Sequence, residues 1–183
     1  MSTKNRTRKM KRVFKKNEYS SNDGMLTSVW GPSMWHSLHA ISFNYPVEPT
    51  PQNKKEYRDF ILSLQYVLPC SKCRDNLKKN FKALPLTMDK MKNRETFSRY
   101  VYDLHELVNH MLGKKSGLSY EDVRERYEHF RARCLPDTVP IKTENGCVEP
   151  LYGIKSKCIL KIVPHDEKCE TLEVDDKCLK QRK

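Results

Sequence analysis

The chain has 183 residues, of which 37% are hydrophobic and 32% are charged, and its formal net charge is +12. This length fits one domain of ordinary size with additional tails. No apolar run approaches the length of a membrane-spanning helix, and no apolar stretch follows the basic N-terminus. We therefore expect neither a membrane span nor a secretory signal, and we place the protein in the cytoplasm.

Most of the positive charge lies at the N-terminus. Residues 1–16 contain eight lysines and arginines and no acidic residue, and a short polar stretch continues to residue 24. Such a segment usually stays solvated, or it binds nucleic acid or another anionic surface through non-specific charge. We expect residues 1–24 to be a disordered basic tail, with weak contact to an anionic partner as the alternative.

Proline positions and apolar spacing predict the first two helices. The first helix starts at Trp30, has Pro32 in its first turn and stops before Tyr45-Pro46. The second helix runs from Lys54 to Val67. Its apolar stripe is predicted to consist of Tyr57, Phe60, Ile61, Leu64, Val67 and Leu68.

Three further helices follow in the sequence. The third starts at the Cys70–Cys73 segment, and the fourth runs from about Arg94 to Leu112, before Gly113 as a C-terminal cap. The fifth runs from Ser119, a serine cap, to Arg133. The side chains predicted to face inward from the last two helices are Phe97, Val101, Leu104, His105, Val108, Asn109, Leu112, Val123, Tyr127 and Phe130.

These elements predict an all-α protein. Residues 25–134 are expected to form a four-helix bundle with a short fifth helix. Residues 135–183 contain four prolines and few large apolar side chains, so we expect a small, irregular, cysteine-containing C-terminal module or tail. Within it, only Ile159–Val163 favours a strand.

The most informative motif is Pro69-Cys70-Ser71-Lys72-Cys73. A CxxC pair is either a redox dithiol or half of a zinc site. A helix start with cations nearby favours the thiolate form that thiol–disulfide exchange requires. No second CxxC or CxH supplies the other zinc ligands, and a helix rather than a strand precedes the pair, which disfavours a thioredoxin-like site. We predict that Cys70 and Cys73 are catalytic and that no metal is bound there.

Aromatic and imidazole side chains flank this motif on two predicted helices. Trp35 and His39 share a face of the first helix, and His105 and Asn109 share a face of the fourth. Each alone is typical of an ordinary packed residue. Together beside a dithiol they favour a pocket for a planar aromatic cofactor, with Lys114 placed to meet its phosphates.

The combination of motifs resembles the Erv/ALR family of FAD-linked sulfhydryl oxidases, and in particular those of large cytoplasmic DNA viruses. The resemblance spans about residues 30–127. It differs from the family at Glu106, where asparagine is usual, at Tyr127, where tryptophan is usual, and at Tyr102, where a structural disulfide often begins. The matching residues are Trp30, Gly31, Trp35, His39, Tyr45, Pro46, Pro69, Cys70, Cys73, His105, Val108, Asn109, Leu112, Gly113 and Lys114.

The resemblance implies a helical bundle that holds FAD and forms a homodimer. Protein dithiols would reduce the disulfide at Cys70, which faces substrate, while Cys73 faces the flavin, and molecular oxygen would be reduced to hydrogen peroxide. It also implies a late viral protein of the host cytoplasm and virion. The implied FAD-binding residues are Trp30, Gly31, Trp35, His39, Tyr45, His105, Val108, Asn109, Leu112, Lys114 and Tyr127.

Two other functions stay open at this point. One is a non-enzymatic, basic zinc- or nucleic-acid-binding module, and the other is a redox chaperone or virion interaction protein that works through its C-terminal region. The sequence leaves the pairing of the later cysteines open between structural disulfides, a shuttle pair, metal binding and free thiols. These cysteines are Cys134, Cys147, Cys158, Cys169 and Cys178.

Overall fold

Five helices carry the fold in the computed structural model, which describes residues 13–133, 149–164, 166–167 and 172–181. Residues 25–128 contain all five, in agreement with the predicted all-α class. Short 3-10 turns occur at Glu18–Ser20, Met88–Met91 and Asp176–Cys178. The helices are α1 (Thr27–Phe43), α2 (Pro51–Val67), α3 (Ser71–Ala83), α4 (Arg94–Met111) and α5 (Tyr120–Glu128).

Side-chain caps determine where three of these helices begin. Thr50, Asn93 and Ser119 each accept a hydrogen bond from the backbone N–H three residues later, and each forms a reciprocal capping box. The cap at Thr50, with Pro51 in the first helical position, starts α2 three residues before the predicted Lys54. The predicted bounds of α4 were correct to within one residue.

The structure also corrects the predicted start of the first helix, the predicted end of the fifth helix and the predicted strand. Helix α1 begins at Thr27, so Pro32 lies in its second turn rather than its first. Helix α5 ends at Glu128, because the chain then turns and Ala132–Arg133 (β1) pairs antiparallel with Glu149–Pro150 (β2). Ile159–Val163 forms no strand, since these residues are irregular and nearly all exposed, without a partner ladder.

A single apolar cluster fills the space between α1, α2, α3 and α4. Tyr45, Met91 and Phe97 are fully buried within it, and the Tyr45 hydroxyl donates a hydrogen bond to the Met91 carbonyl at 3.0 Å. Arg94 Nε donates to the Tyr45 carbonyl at 2.6 Å, which ties the end of α1 to the start of α4. The other members of this cluster are Leu38, Ile61, Leu64, Leu77, Leu86, Tyr100, Val101 and Leu104.

Several predicted core residues lie at the surface instead. The inner stripe of α2 is Tyr57, Ile61, Leu64 and Leu68, which complete one helical face, so Phe60 and Val67 fall outside it and are 42% and 66% exposed. Leu112, just past the end of α4, is 54% exposed, and Phe130, beyond the shortened α5, is 37% exposed.

A second, smaller core joins α5 to the rest of the bundle. It consists of Phe43, Tyr120, Val123 and Tyr127. The Tyr102 hydroxyl, at the position where the family often has a disulfide, donates to the Leu118 carbonyl at 2.8 Å and links α4 to the start of α5 without a covalent bond. None of the described helices is long and apolar enough to cross a membrane.

The described C-terminal segments pack on the end of α5. The Leu151 N–H donates to the Arg131 carbonyl at 3.0 Å, and the Lys180 N–H donates to His129 Nδ1 at 3.0 Å. Gly153 adopts a positive φ of 64° and lies against the Cys178 backbone, where a Cβ atom would come within 2.5 Å. Of the later cysteines, Cys158 is exposed and free, and Cys178 is half-buried and free. Cys134, Cys147 and Cys169 lie outside the described residues.

Candidate active site

A disulfide joins Cys70 and Cys73 at the start of α3, with a Cα–Cα distance of 5.2 Å. Cys70 is the N-cap residue of this helix, and its sulfur accepts a hydrogen bond from the Cys73 N–H at 3.2 Å. Both cysteines are half-buried, so the pair lies at the surface rather than in the core. The first turn of α3 therefore presents the two sulfurs at the positive end of the helix dipole, an environment that favours thiolates.

The segment before α1 lies directly against this disulfide. The Met25 N–H donates to the Pro69 carbonyl at 2.9 Å, and Thr27 Oγ1 is 3.4 Å from Cys73 Sγ. Trp30 Nε1 donates to the Met25 carbonyl at 3.1 Å and holds the segment in place. Sequence reasoning missed Thr27, because it started the first helix at Trp30; Leu26, the N-cap, makes no side-chain cap that could have marked the true start.

Two histidines and a tryptophan meet between α1 and α4. His39 Nε2 is 2.9 Å from His105 Nδ1, and the Trp35 ring stacks on the His105 ring at 4.0 Å between centroids and 8° between planes. These three residues were predicted to share a pocket from their helical spacing, and the fold places them in mutual contact. The arrangement is a flat aromatic wall with imidazole nitrogens at its edge.

Burial keeps both imidazoles neutral. Desolvation, followed by the neighbouring His105 and His36, lowers the pKa of His39 from 6.5 to about 3. Desolvation also lowers the pKa of His105 to about 4, with Glu106 opposing this effect and Lys114 adding to it. At neutral pH the short contact is therefore a hydrogen bond between two uncharged rings, in which one of the two facing nitrogens carries the proton.

A second aromatic group continues along α1 toward α5. His36 Nδ1 is 3.1 Å from the Tyr127 hydroxyl, and the Tyr127 ring contacts the rings of His39, Phe43 and Phe130. Burial raises the pKa of Tyr127 to about 12, so its hydroxyl stays protonated and can donate to His36. Sequence reasoning included Tyr127 but missed His36, which carries no motif signal of its own.

The remaining predicted residues lie on or just beyond α4, within α1, and in the main core. Val108 and Asn109 are half-buried on α4, and Asn109 Nδ2 donates a hydrogen bond to Glu106 Oε1 at 2.9 Å. Leu112 and Lys114 are exposed beyond the end of α4. The backbone N–H of Lys114 donates to the Asn109 carbonyl at 2.8 Å. Gly31 is buried within α1. Tyr45 lies in the main core, with ring contacts to Tyr57 and Phe97, and these contacts give it a structural role.

These side chains fit a planar aromatic cofactor. His39 Nδ1 is buried and has no hydrogen-bond partner among the described residues, which is unusual for a nitrogen in a folded protein. The stacked Trp35 and His105 offer a flat apolar surface, and Lys114 offers a cation at the open end of α4. The described residues contain no group of three or more His, Cys, Asp or Glu side chains placed to hold a metal.

Fold and site together define a helical protein with a surface dithiol–disulfide site and an aromatic and imidazole pocket, both contacted by α1. Residues 32–128 match the model of the Erv1/Alr family, and the chain belongs to this family, as the sequence predicted.

Named relatives share the same region of the chain. A probable FAD-linked sulfhydryl oxidase of Acanthamoeba polyphaga mimivirus is 38% identical over 104 residues, which cover 57% of this chain and 72% of the relative. A putative FAD-linked sulfhydryl oxidase of Invertebrate iridescent virus 6 is 33% identical over 90 residues, covering 47% and 81%. The crystal structure of the FAD binding domain of Erv1 from Saccharomyces cerevisiae matches with a TM-score of 0.51 and 26% identity, covering 56% of this chain and 94% of that domain.

Proposed function

We propose that the protein is a thiol oxidase that uses FAD to form disulfides in protein substrates and transfers the electrons to oxygen. The observation that carries the proposal is the disulfide at the start of α3, in a fold whose other helices bring Trp35, His39 and His105 into one pocket. Membership of the Erv1/Alr family supports the same activity. We further propose residues 25–134 as the oxidase domain.

The exchange step begins with a substrate thiolate that attacks Cys70 Sγ. A new disulfide forms between substrate and Cys70, the Cys70–Cys73 bond breaks, and its electron pair stays on Cys73 as a thiolate. A second substrate thiol then attacks the mixed disulfide and releases Cys70, so that the substrate leaves as a disulfide and the protein holds a dithiol. The position of Cys70 between α2 and α3, ahead of the helix, supports its assignment as the sulfur that meets substrate.

We assign the cofactor pocket to side chains of α1 and α4, to Lys114 just beyond α4, and to Tyr127 of α5, whose ring contacts the His39 ring. Trp35 and His105 would provide the flat wall, His39 and Asn109 the polar contacts at its edge, and Lys114 the charge near the phosphates. When bound, FAD would supply the two-electron acceptor for the dithiol and the route from there to oxygen, giving hydrogen peroxide. Neutral His39 and His105 leave the pocket without added positive charge at physiological pH.

An absorbance spectrum of the purified protein and measurements of its oxygen consumption with an oxygen electrode test this proposal. We expect the purified protein to be yellow with bound flavin and to consume oxygen in the presence of dithiothreitol, with hydrogen peroxide as product. Cys73→Ser should abolish oxygen consumption but keep the flavin, whereas Cys158→Ser, at an exposed free cysteine, should keep both. A folded protein that is colourless after incubation with FAD would overturn the proposal.

A further inference from the structure

The two sulfurs of the disulfide have different polar neighbours. Cys70 Sγ accepts from the backbone of its own helix, while Cys73 Sγ lies 3.4 Å from the hydroxyl of Thr27, a residue 46 positions earlier in the chain. A disulfide sulfur has no hydrogen to give, and neither has a thiolate. The hydroxyl is therefore the donor in both states, and Cys73 the acceptor.

The position of Thr27 is fixed by contacts on both sides of it. The Met25 N–H bonds the Pro69 carbonyl at 2.9 Å, and the Trp30 indole bonds the Met25 carbonyl at 3.1 Å. Gly24 approaches the same loop so closely that a Cβ atom there would lie 3.2 Å from the Pro69 oxygen. Thr27 is also the first residue of α1, and its β-branched side chain has few rotamers. These restraints hold the hydroxyl beside Cys73.

We propose that Thr27 is a positioning residue for Cys73, whose hydroxyl donates a hydrogen bond to the sulfur that leaves when a substrate thiolate attacks Cys70. For its role in turnover, this inference rests on the proposed function. In that step the Cys70–Cys73 bond breaks and Cys73 keeps the electron pair, so a full negative charge forms where the hydroxyl points. Hydrogen bonds to a charged acceptor are stronger than those to a neutral one, and a better stabilised thiolate leaves faster.

The sharpest test measures the Cys73 thiol itself, apart from catalysis. In full-length protein carrying Cys70→Ser, the rate of alkylation of Cys73 by iodoacetamide is followed against pH and resolved by peptide mass spectrometry. Because Thr27 is exposed, water competes for its hydroxyl and weakens the hydrogen bond. We therefore expect Thr27→Val to raise the pH at which the alkylation rate is half-maximal, the midpoint, by about 0.5 to 1 pH unit. Thr27→Ser, which keeps the hydroxyl, should retain the parent midpoint. Ser28→Ala, at the exposed neighbouring position, should retain it as well.

A second measurement addresses the exchange step. With both cysteines present and oxygen excluded, we expect the reduction of the Cys70–Cys73 disulfide by dithiothreitol to slow about threefold in Thr27→Val and to recover in Thr27→Ser. The inference would be overturned if Thr27→Val had the same alkylation midpoint as the protein with Thr27. It would also be overturned if Thr27→Ser had the same raised midpoint as Thr27→Val. Neither readout requires flavin or oxygen, so a protein without oxidase activity would refute the proposed function while the Thr27 result stood or fell separately.

Discussion

The neutral His39–His105 pair predicts a specific dependence of stability on pH. His39 is 4% exposed, and its pKa in the fold is about 3, compared with 6.5 for an exposed histidine. Between these pH values the unfolded chain binds a proton that the folded chain does not. The free energy of unfolding therefore rises with pH across this window and levels off above 6.5, so the stabilisation is complete at neutral pH and is lost as the pH falls.

The size of this effect follows from the shift. One proton bound only by the unfolded state changes the free energy of unfolding by about 1.4 kcal/mol per pH unit. At pH 6.5 half of the unfolded chains already carry a proton on His39, which reduces the effect slightly. From pH 6.5 down to about pH 4, His39 alone should therefore lower the free energy of unfolding by about 3 kcal/mol. The rings of Phe43 and Tyr127 surround it, so phenylalanine is a reasonable replacement that cannot titrate.

The assay is urea denaturation of flavin-free protein, followed by tryptophan fluorescence at a series of pH values. From pH 6.5 to about pH 4, we expect the free energy of unfolding to fall by about 3 kcal/mol more in the wild type than in His39→Phe. This difference in pH dependence does not depend on how stable the two proteins are at neutral pH. The matched control is His110→Phe, which replaces an exposed histidine on α4 and should leave the wild-type slope intact. Parallel pH curves for wild type and His39→Phe would refute the reasoning.

Four further predictions follow from the fold and the proposals. Tyr45→Phe should lower the free energy of unfolding by about 1 to 2 kcal/mol in urea titrations, because the buried Met91 carbonyl loses its donor, whereas Tyr66→Phe, at a 68% exposed position, should be neutral. We propose that the protein is a homodimer with the exposed Phe60 in its interface, so wild type should have the mass of a dimer in light scattering and Phe60→Glu that of a monomer; equal masses for the two proteins would refute this interface. Deleting residues 135–183 should leave oxidation of small dithiols intact, and a loss of that activity in the folded fragment would assign the C-terminal region a part in it. Deleting residues 1–16 removes eight positive charges and should weaken the salt-sensitive binding of the protein to a DNA column. Equal binding by the full-length and the shortened protein would contradict this prediction.

The elements that the sequence predicted best are those with local signals. Ser119 marks the start of α5, and the bounds of α4 follow from its apolar spacing and Gly113. The start of α1 has no such signal, because Leu26 makes no side-chain cap, and Thr27 was missed with it. Likewise, His36 reaches Tyr127 across 91 residues of sequence, a contact that depends on how α1 and α5 pack and not on any motif.

The pocket residues with a motif were predicted together, but their roles depend on geometry that spacing does not supply. Trp35 and His39 on one face of α1 indicate a shared surface. That His39 bonds His105 while Trp35 stacks on the same ring depends on the packing of α1 against α4. Tyr45 shows the converse, since it belongs to the family pattern and yet its side chain lies in the main core.

Helix α1 sets the spacing between the dithiol and the aromatic pocket. Thr27 at its first position contacts Cys73, Trp35 stacks on His105 eight residues later, and His36 bonds Tyr127. With a rise of 1.5 Å per residue, Thr27 and Trp35 are about 12 Å apart along the helix axis. A group that reaches both Cys73 and the Trp35–His105 stack must therefore be extended. Thr27 contacts Cys73 and takes no part in the Trp35–His105 stack. A substitution at Thr27 therefore changes the surroundings of the sulfur while the ring stack keeps its own contacts, and it separates the two halves of the site experimentally.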